Sequence, residues 1–305
     1  MEYLTIPSSD LVVSRLALGL MRIANKSVEE VEKLINVSIE QGINLFDHAD
    51  IYGGGKSETL FGEVLKRNPS LRNKMIIQSK CGIRKGFYDF SFDHIVNSAI
   101  ESIKRLGIDS LDILLLHRPD TLMEPDEVNK AFSYLYNQGL VRTFGISNMN
   151  SMQIELLKKY VEYPLLFNQL QFSLIHAGMV DVGINVNMTN NRAIDFDGNM
   201  LEYARINDIT IQAWSILQAS WEEGTFLNHP KYQKLNEKLA QYANQYQVEK
   251  SAIALAWILS HPAKLIAISG TTSPKHLVDL AKGVSIKLAR PEWYDLYLSG
   301  NRLLP

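Results

Sequence analysis

Eight times along 305 residues a short apolar run of strand length is followed by a stretch of helical period, and this alternation constrains the fold more than any other feature. The runs are RLALGL (15–20), INLFDHA (43–49), MIIQSKC (75–81), LDILLLH (111–117), RTFGIS (142–147), LLFNQLQ (165–171), TIQAWSI (210–216) and KLIAISG (264–270). The first is followed by SVEEVEKLINVSIEQG (27–42), where Ser27 with Glu30 three residues on predicts a capped helix start and Gly42 its stop. Strands apolar along nearly their whole length and joined through helices belong to a parallel sheet covered on both faces. Eight such units close an α/β structure into a (β/α)8 TIM barrel. An open doubly wound sheet is the alternative, but its dinucleotide-binding form needs G-x-G-x-x-G after the first strand, and no such spacing occurs. YLTIPSSDLVVS (3–14) reads as an N-terminal β-hairpin plugging the barrel bottom, and ARPEWYDLYLSGN (289–301) as an extra C-terminal helix. No Pro/Gly/Ser-rich tract divides the chain, so residues 1–305 are expected to form a single domain.

Composition narrows the partners. With 31 basic against 33 acidic residues there is no positive field to hold nucleic acid or an anionic membrane. The longest apolar stretches, such as AIALAWIL (252–259), fall far short of the roughly 20 residues that span a bilayer. The N-terminus lacks a basic segment followed by an apolar core, so a cytoplasmic protein is expected. Its one cysteine, Cys81, cannot form an internal disulfide, in keeping with a reducing compartment.

The segment NLFDHADIYGGGKSE (44–58) concentrates chemistry. Gly55-Lys56-Ser57 resembles the end of a phosphate loop, but that motif needs glycine five residues earlier, where Asp50 stands. The glycines instead free the backbone to turn from strand to helix. Asp47, His48 and Asp50 could ligate a metal, yet neighbouring strand residues point to opposite faces, and there is no H-x-H or H-E-x-x-H; no metal is expected.

Acid–base chemistry gains support from pattern. Side chains at the C-terminal strand ends of such a barrel converge on one mouth. Asp47 is read as ending the second strand, Lys80 the third and His117 the fourth, and Tyr52 lies five residues past Asp47 on the loop after the second strand. Charged groups emerging from apolar runs must be paired beside a dry core. A lysine ammonium favours phenolate and so lowers the pKa of a neighbouring tyrosine, while Asp47 would keep a buried Lys80 charged. His117 would hydrogen-bond a substrate oxygen or relay a proton. That set suits carbonyl reduction with Tyr52 as general acid, and because no side chain supplies hydride, a nicotinamide is implied.

These residues resemble the aldo-keto reductase superfamily, in particular a branch of bacterial oxidoreductases. FDHADIYGGGKSE is similar to the family's F-D-[ST]-A-x-x-Y-G signature, QSKCG to its S-K segment and LDILLLHRPD to its L-D-L-x-x-x-H segment. The resemblance implies a catalytic set of Asp47, Tyr52, Lys80 and His117. It also implies a nicotinamide cofactor whose carboxamide meets Ser147 and Asn148 of GISN and Gln169 of NQLQ. Trp214 is placed to stack on the nicotinamide, and Ser215, Ile216 and Leu217 begin a loop over the pyrophosphate. Gly270, Thr271, Thr272, Lys275 and His276 in SGTTSPKHL (269–277) stand at the adenosine end, where Pro274 opens a helix able to receive phosphate. Lys275 and His276 replace the arginine many relatives set against a 2′-phosphate, and Leu280 stands at an amide position; NADPH is expected, with NADH as the other choice.

Further departures are His48 for the commoner Ser or Thr, read as a surface residue or one tuning the mouth's charge, and Gln218, Ala219 and Ser220 where glycines are usual. Cys81 is read as a small buried hydrophobe ahead of a redox switch. The expected activity is reduction of small-molecule aldehydes or ketones. Two other readings stand beside it, a cofactor-binding regulatory subunit with little turnover and a metal-dependent barrel hydrolase. Specificity is expected in loops 82–92, 118–125, 172–199 and 218–230, with Phe87, Tyr88, Phe172 and Trp221 as candidate contacts. Oligomeric state is not specified.

Overall fold

The computed structural model describes residues 1–305. Its strands β1 (Leu16–Gly19), β2 (Leu45–Asp47), β3 (Ile76–Cys81), β4 (Leu111–Leu116), β5 (Val141–Ser147), β6 (Leu165–Gln171), β7 (Thr210–Trp214) and β8 (Ile266–Ser269) pair in sequence order into a closed ring. Every pairing is parallel, including the closure of β8 on β1 through Ala267–Leu16, Ile268–Ala17 and Ser269–Leu18. The barrel expected from the alternation is therefore present, and the open sheet is not. β7 stops at Trp214, short of the expected Ile216, because Ser215 takes a left-handed φ of 54° that no strand continues.

The helix Val28–Glu40 begins as predicted: Ser27 Oγ accepts from Glu30 N, and the Glu30 carboxylate accepts from Ser27 N. Its apolar stripe, Val31, Leu34 and Ile35, is buried against the barrel. The long connection after β6 holds the helices Gly178–Ile184 and Met200–Ile206.

Two devices close the barrel from outside. Tyr3–Thr5 pairs antiparallel with Val12–Ser14, and this hairpin puts Ile6, Leu11 and Val13 into one cluster with Ala17, Leu45, Ile113, Leu115, Phe167 and Ile266 of the barrel interior. It is the expected plug. The terminal helix Arg290–Ser299 is pinned by Trp293, whose indole stacks on Trp257 at 4.9 Å while each indole N–H donates to the other's carbonyl. Arg302 and Tyr297 both donate to Asp181, which ties the terminus to the connection beyond β6. No helix is long and apolar enough to cross a membrane.

Candidate active site

Strand alternation decides which polar residues meet. Asp47 faces the barrel interior; His48, next in the chain, faces out and packs edge-on against Phe61 of the helix Lys56–Arg67 at 4.6 Å. The two do not share a site. On β3 the same alternation turns Gln78 and Lys80 inward together, and both are fully buried. Three glycines after Tyr52, with φ of 59°, 65° and 89°, make the turn that returns its ring to the mouth. A side chain at Gly53 would stand 2.4 Å from Ala24 Cβ.

Lys80 organises the centre. Its ammonium carries three N–H donors. They go to the Asp47 carboxylate at 2.8 Å, the His48 carbonyl at 2.6 Å and the Tyr52 hydroxyl at 3.0 Å. The Tyr52 oxygen thus accepts, and its own hydrogen is free to donate outward. His117 stands edge-on to Tyr52 with ring centroids 6.0 Å apart. Its Nδ1 is enclosed without a partner, and Nε2 bonds to nothing in the protein.

The electrostatics follow from burial and that ammonium. Burial drives Lys80 toward neutrality, but Asp47 and Tyr52 together outweigh it, and the lysine is held above its ordinary value. Burial likewise raises the Tyr52 phenol, and although Lys80 pulls it down, the net direction is upward. This corrects the expected lowering, since desolvation of a phenolate in this pocket exceeds the pull of a cation already shared with Asp47. Tyr52 therefore holds its proton through neutrality. His117 is pushed down to about 2 by burial, with Lys80 and Arg118 adding to it. A neutral imidazole can donate a hydrogen bond, but as an imidazolium relay near neutral pH, one of the two expected roles, it is unavailable.

Beneath Asp47 lies a layer that sequence reasoning missed. Gln78 Nε2 donates to Asp47 Oδ1 at 2.6 Å and to Gln212 Oε1 at 2.9 Å, while Gln212 Nε2 returns a bond to Gln78 Oε1 at 2.8 Å. Gln169 Nε2 donates to the same Asp47 oxygen at 3.0 Å and to Gln212 Oε1 at 2.9 Å. The carboxylate, an acceptor only, dictates how these amides face. The available signal was Gln78, two residues before the inward Lys80 in MIIQSKC, and Gln212 in the apolar run TIQAWSI.

The expected cofactor residues form a second bonded chain. Ser147 Oγ donates to the Gln169 carbonyl at 2.9 Å and accepts from Asn148 Nδ2 at 2.7 Å; Asn148 Oδ1 accepts from the Trp214 indole at 3.3 Å. Asn148 is thereby committed within the protein on both ends of its amide. Ser215 bonds Gln218 at 2.8 Å, and Gln218–Ser220 pairs with Gly224–Thr225 in a small hairpin where glycines are usual. Ile216 is buried, and Leu217 is partly buried against the core. Gly270, Thr271 and Thr272 follow β8 at half exposure, with Lys275 and His276 exposed in the first turn of the helix Pro274–Ala281. Leu280 is buried and offers a cofactor nothing.

Three other expectations are resolved by burial. His48 is neither a surface residue nor at the mouth: it is fully buried, with neither ring nitrogen bonded. Cys81 is a buried core residue whose thiol burial raises well above its usual range, the state of an unreactive hydrophobe. Phe172 packs against Trp257 in the core, whereas Phe87, Tyr88 and Trp221 are exposed.

Burial of these histidines also couples stability to pH. Burial, then the Lys80 charge, pushes His48 down to about 3. Below the unfolded value of about 6.5, the unfolded chain takes up protons at His48 and His117 that the native state refuses, so stability is lost as pH falls. Asp50, raised to about 6 by burial and Glu58, works in the opposite sense. His48→Leu removes one term: its urea-unfolding free energy should fall less steeply between pH 6 and pH 4, by about 1.4 kcal/mol per pH unit relative to the parent. Equal slopes would show that His48 does not carry this effect.

A closed parallel barrel thus gathers a carboxylate, an ammonium, a phenol and an imidazole at its C-terminal mouth, and the family this chain matches is one of oxidoreductases acting on carbonyls. The chain belongs to the aldo/keto reductase family, whose profile matches residues 15–296. It is 32% identical to the oxidoreductase YdhF of Escherichia coli, over 97% of this chain and 96% of that one. It is 31% identical to a 6-dehydroglucose reductase of Agrobacterium fabrum, over 95% of each. Among solved structures, the thermostable aldo-keto reductase Tm1743, in complex with the inhibitor epalrestat, superposes with a TM-score of 0.78 at 24% identity, covering 98% of this chain and all of that one.

Proposed function

We propose that the protein is an NADPH-dependent reductase that converts aldehyde or ketone carbonyls of small molecules to alcohols, acting as one domain in the cytoplasm. The observation that carries this reading is the Lys80 ammonium dividing its three hydrogen bonds among Asp47, the His48 carbonyl and the Tyr52 hydroxyl. In it, Tyr52 is the general acid, Lys80 and Asp47 support it, and His117 orients the carbonyl.

The residues present fit a nicotinamide. Gln169 has spent its amino group on Asp47 and Gln212, which leaves its carbonyl oxygen to accept from a carboxamide. Trp214 offers a partly exposed ring beside it. First-turn N–H groups of the helix Pro274–Ala281 lack intrahelical acceptors, and Ser273 Oγ takes only that of His276. Lys275 and His276 add exposed nitrogen at that end.

When bound, the cofactor supplies a hydride to the carbonyl carbon. The protein handles the rest. His117 Nε2–H and the Tyr52 hydroxyl converge on the carbonyl oxygen and fix its position. As charge develops there, the phenolic proton moves to the oxygen, and the alcohol is complete. A nascent alkoxide is far more basic than a phenolate, so a Tyr52 held above its usual value still transfers downhill. Lys80, already bonded to the phenolic oxygen, meets the phenolate with a charge in place and needs no reorganisation.

The cofactor assignment is tested by Michaelis constants. NADPH should give the lower value with a reactive aldehyde, because a 2′-phosphate reaches Lys275; a clear preference for NADH would overturn it.

A further inference from the structure

Arg118 takes no part in the mechanism above, yet it is a second cation at the mouth, beside the ring of Trp214. It follows His117 at the end of β4, and its guanidinium lies over the Trp214 ring, 5.6 Å from the centroid, at the end of β7. Those strands stand three positions apart around a ring of eight. The side chain therefore crosses the opening of the barrel.

No anion of the protein answers it. Asp47 is enclosed by Lys80 and two glutamine amides. Asp120, two residues on, gives one oxygen to Phe90 N and the other to Leu122 N. The guanidinium instead lies against the Trp214 face. By contrast, Arg15, Arg72, Arg105, Arg142, Arg192 and Arg302 each pair with a carboxylate. A planar fork of donors, partly shielded from water and lacking an anion, matches a carboxylate bidentately.

We propose that Arg118 binds a carboxylate carried by the substrate, so that the preferred substrates are carbonyl compounds bearing an acid group. The inference rests on the reductase reading and deepens it. The test pairs each acid with its methyl ester, 4-carboxybenzaldehyde and succinic semialdehyde against the esters, under saturating NADPH. Wild-type kcat/KM should favour the acid of each pair, and Arg118→Met should lower it for the acids by about 10–100-fold while changing it less than threefold for the esters. Arg118→Lys, which keeps the charge without the fork, should fall between.

Binding is read separately. Tryptophan fluorescence of the NADP-loaded protein should give a tighter constant for 4-(hydroxymethyl)benzoate than for its methyl ester, with the difference lost in Arg118→Met. That readout stands without turnover, so an inactive protein that still prefers the acid would sink the reductase reading and uphold the carboxylate site. Acids and esters handled alike by wild type would overturn the inference. So would a variant that loses both equally, or one in which only the Michaelis constant for NADPH changes.

Discussion

Tyr52→Phe is expected to lower kcat by about 10²–10⁴ with the fold intact. The hydroxyl it removes accepts one bond, from Lys80 at 3.0 Å, and leaves its own hydrogen for substrate. Losing that acceptor leaves one ammonium donor short of a partner, a cost of about 1–3 kcal/mol. Rate and stability should therefore separate, the first collapsing while the unfolding midpoint shifts little. Cofactor binding should persist, since the phenol is not among the groups proposed to hold it. A variant retaining activity within threefold would remove Tyr52 from its role, whatever the merits of the fold.

The second large effect belongs to Asp47→Asn, and here stability should suffer as well. Lys80 is fully buried and the Asp47 side chain nearly so. Without the carboxylate, the ammonium is left with the His48 carbonyl, the Tyr52 hydroxyl and at most one amide oxygen, none of them an anion. The new amide must also face Gln78 and Gln169, which both present N–H groups to that position. Breaking one side of a buried ion pair costs about 3–5 kcal/mol. The pH dependence identifies the cause. In the parent, Lys80 is held above its ordinary value, so its contribution is fully present below about pH 10.4 and is lost only as pH rises through the higher folded value. In the variant, burial acts without its main opponent and drives Lys80 downward. The native state then sheds its proton before the unfolded state does, and stability rises with pH. The gap between parent and variant in urea unfolding should therefore narrow between pH 7 and pH 9.5. A constant gap would mean that the loss comes from packing and not from the stranded charge.

How much of this was legible in the sequence depends on whether the signal was local. Each barrel strand announced itself as an apolar run between turn residues, and Ser27 with Glu30 announced a helix cap, because short-range chemistry sets both. The convergence of Asp47, Tyr52, Lys80 and His117 followed from one rule about barrel mouths and needed no contact map. Gln78 and Gln212 were missed because their meaning lies in a bond across the barrel, between β3 and β7, which no spacing along the chain encodes. His48 was misread for a related reason: alternation turned it away from Asp47, but only the packed helix shows that it lands on Phe61. The direction of the Tyr52 shift depended on how burial weighs against a shared cation, a sum over surroundings that a list of neighbours does not contain.

One experiment reaches the central claim directly. The purified protein is mixed with NADPH and a panel of reactive aldehydes and dicarbonyls, with and without a metal chelator, while the 340 nm band and the alcohol formed are followed together. The proposed chemistry predicts one alcohol for each NADPH consumed, at a rate the chelator leaves unchanged. NADPH bound but not consumed across the whole panel, or turnover abolished by chelation, would contradict it.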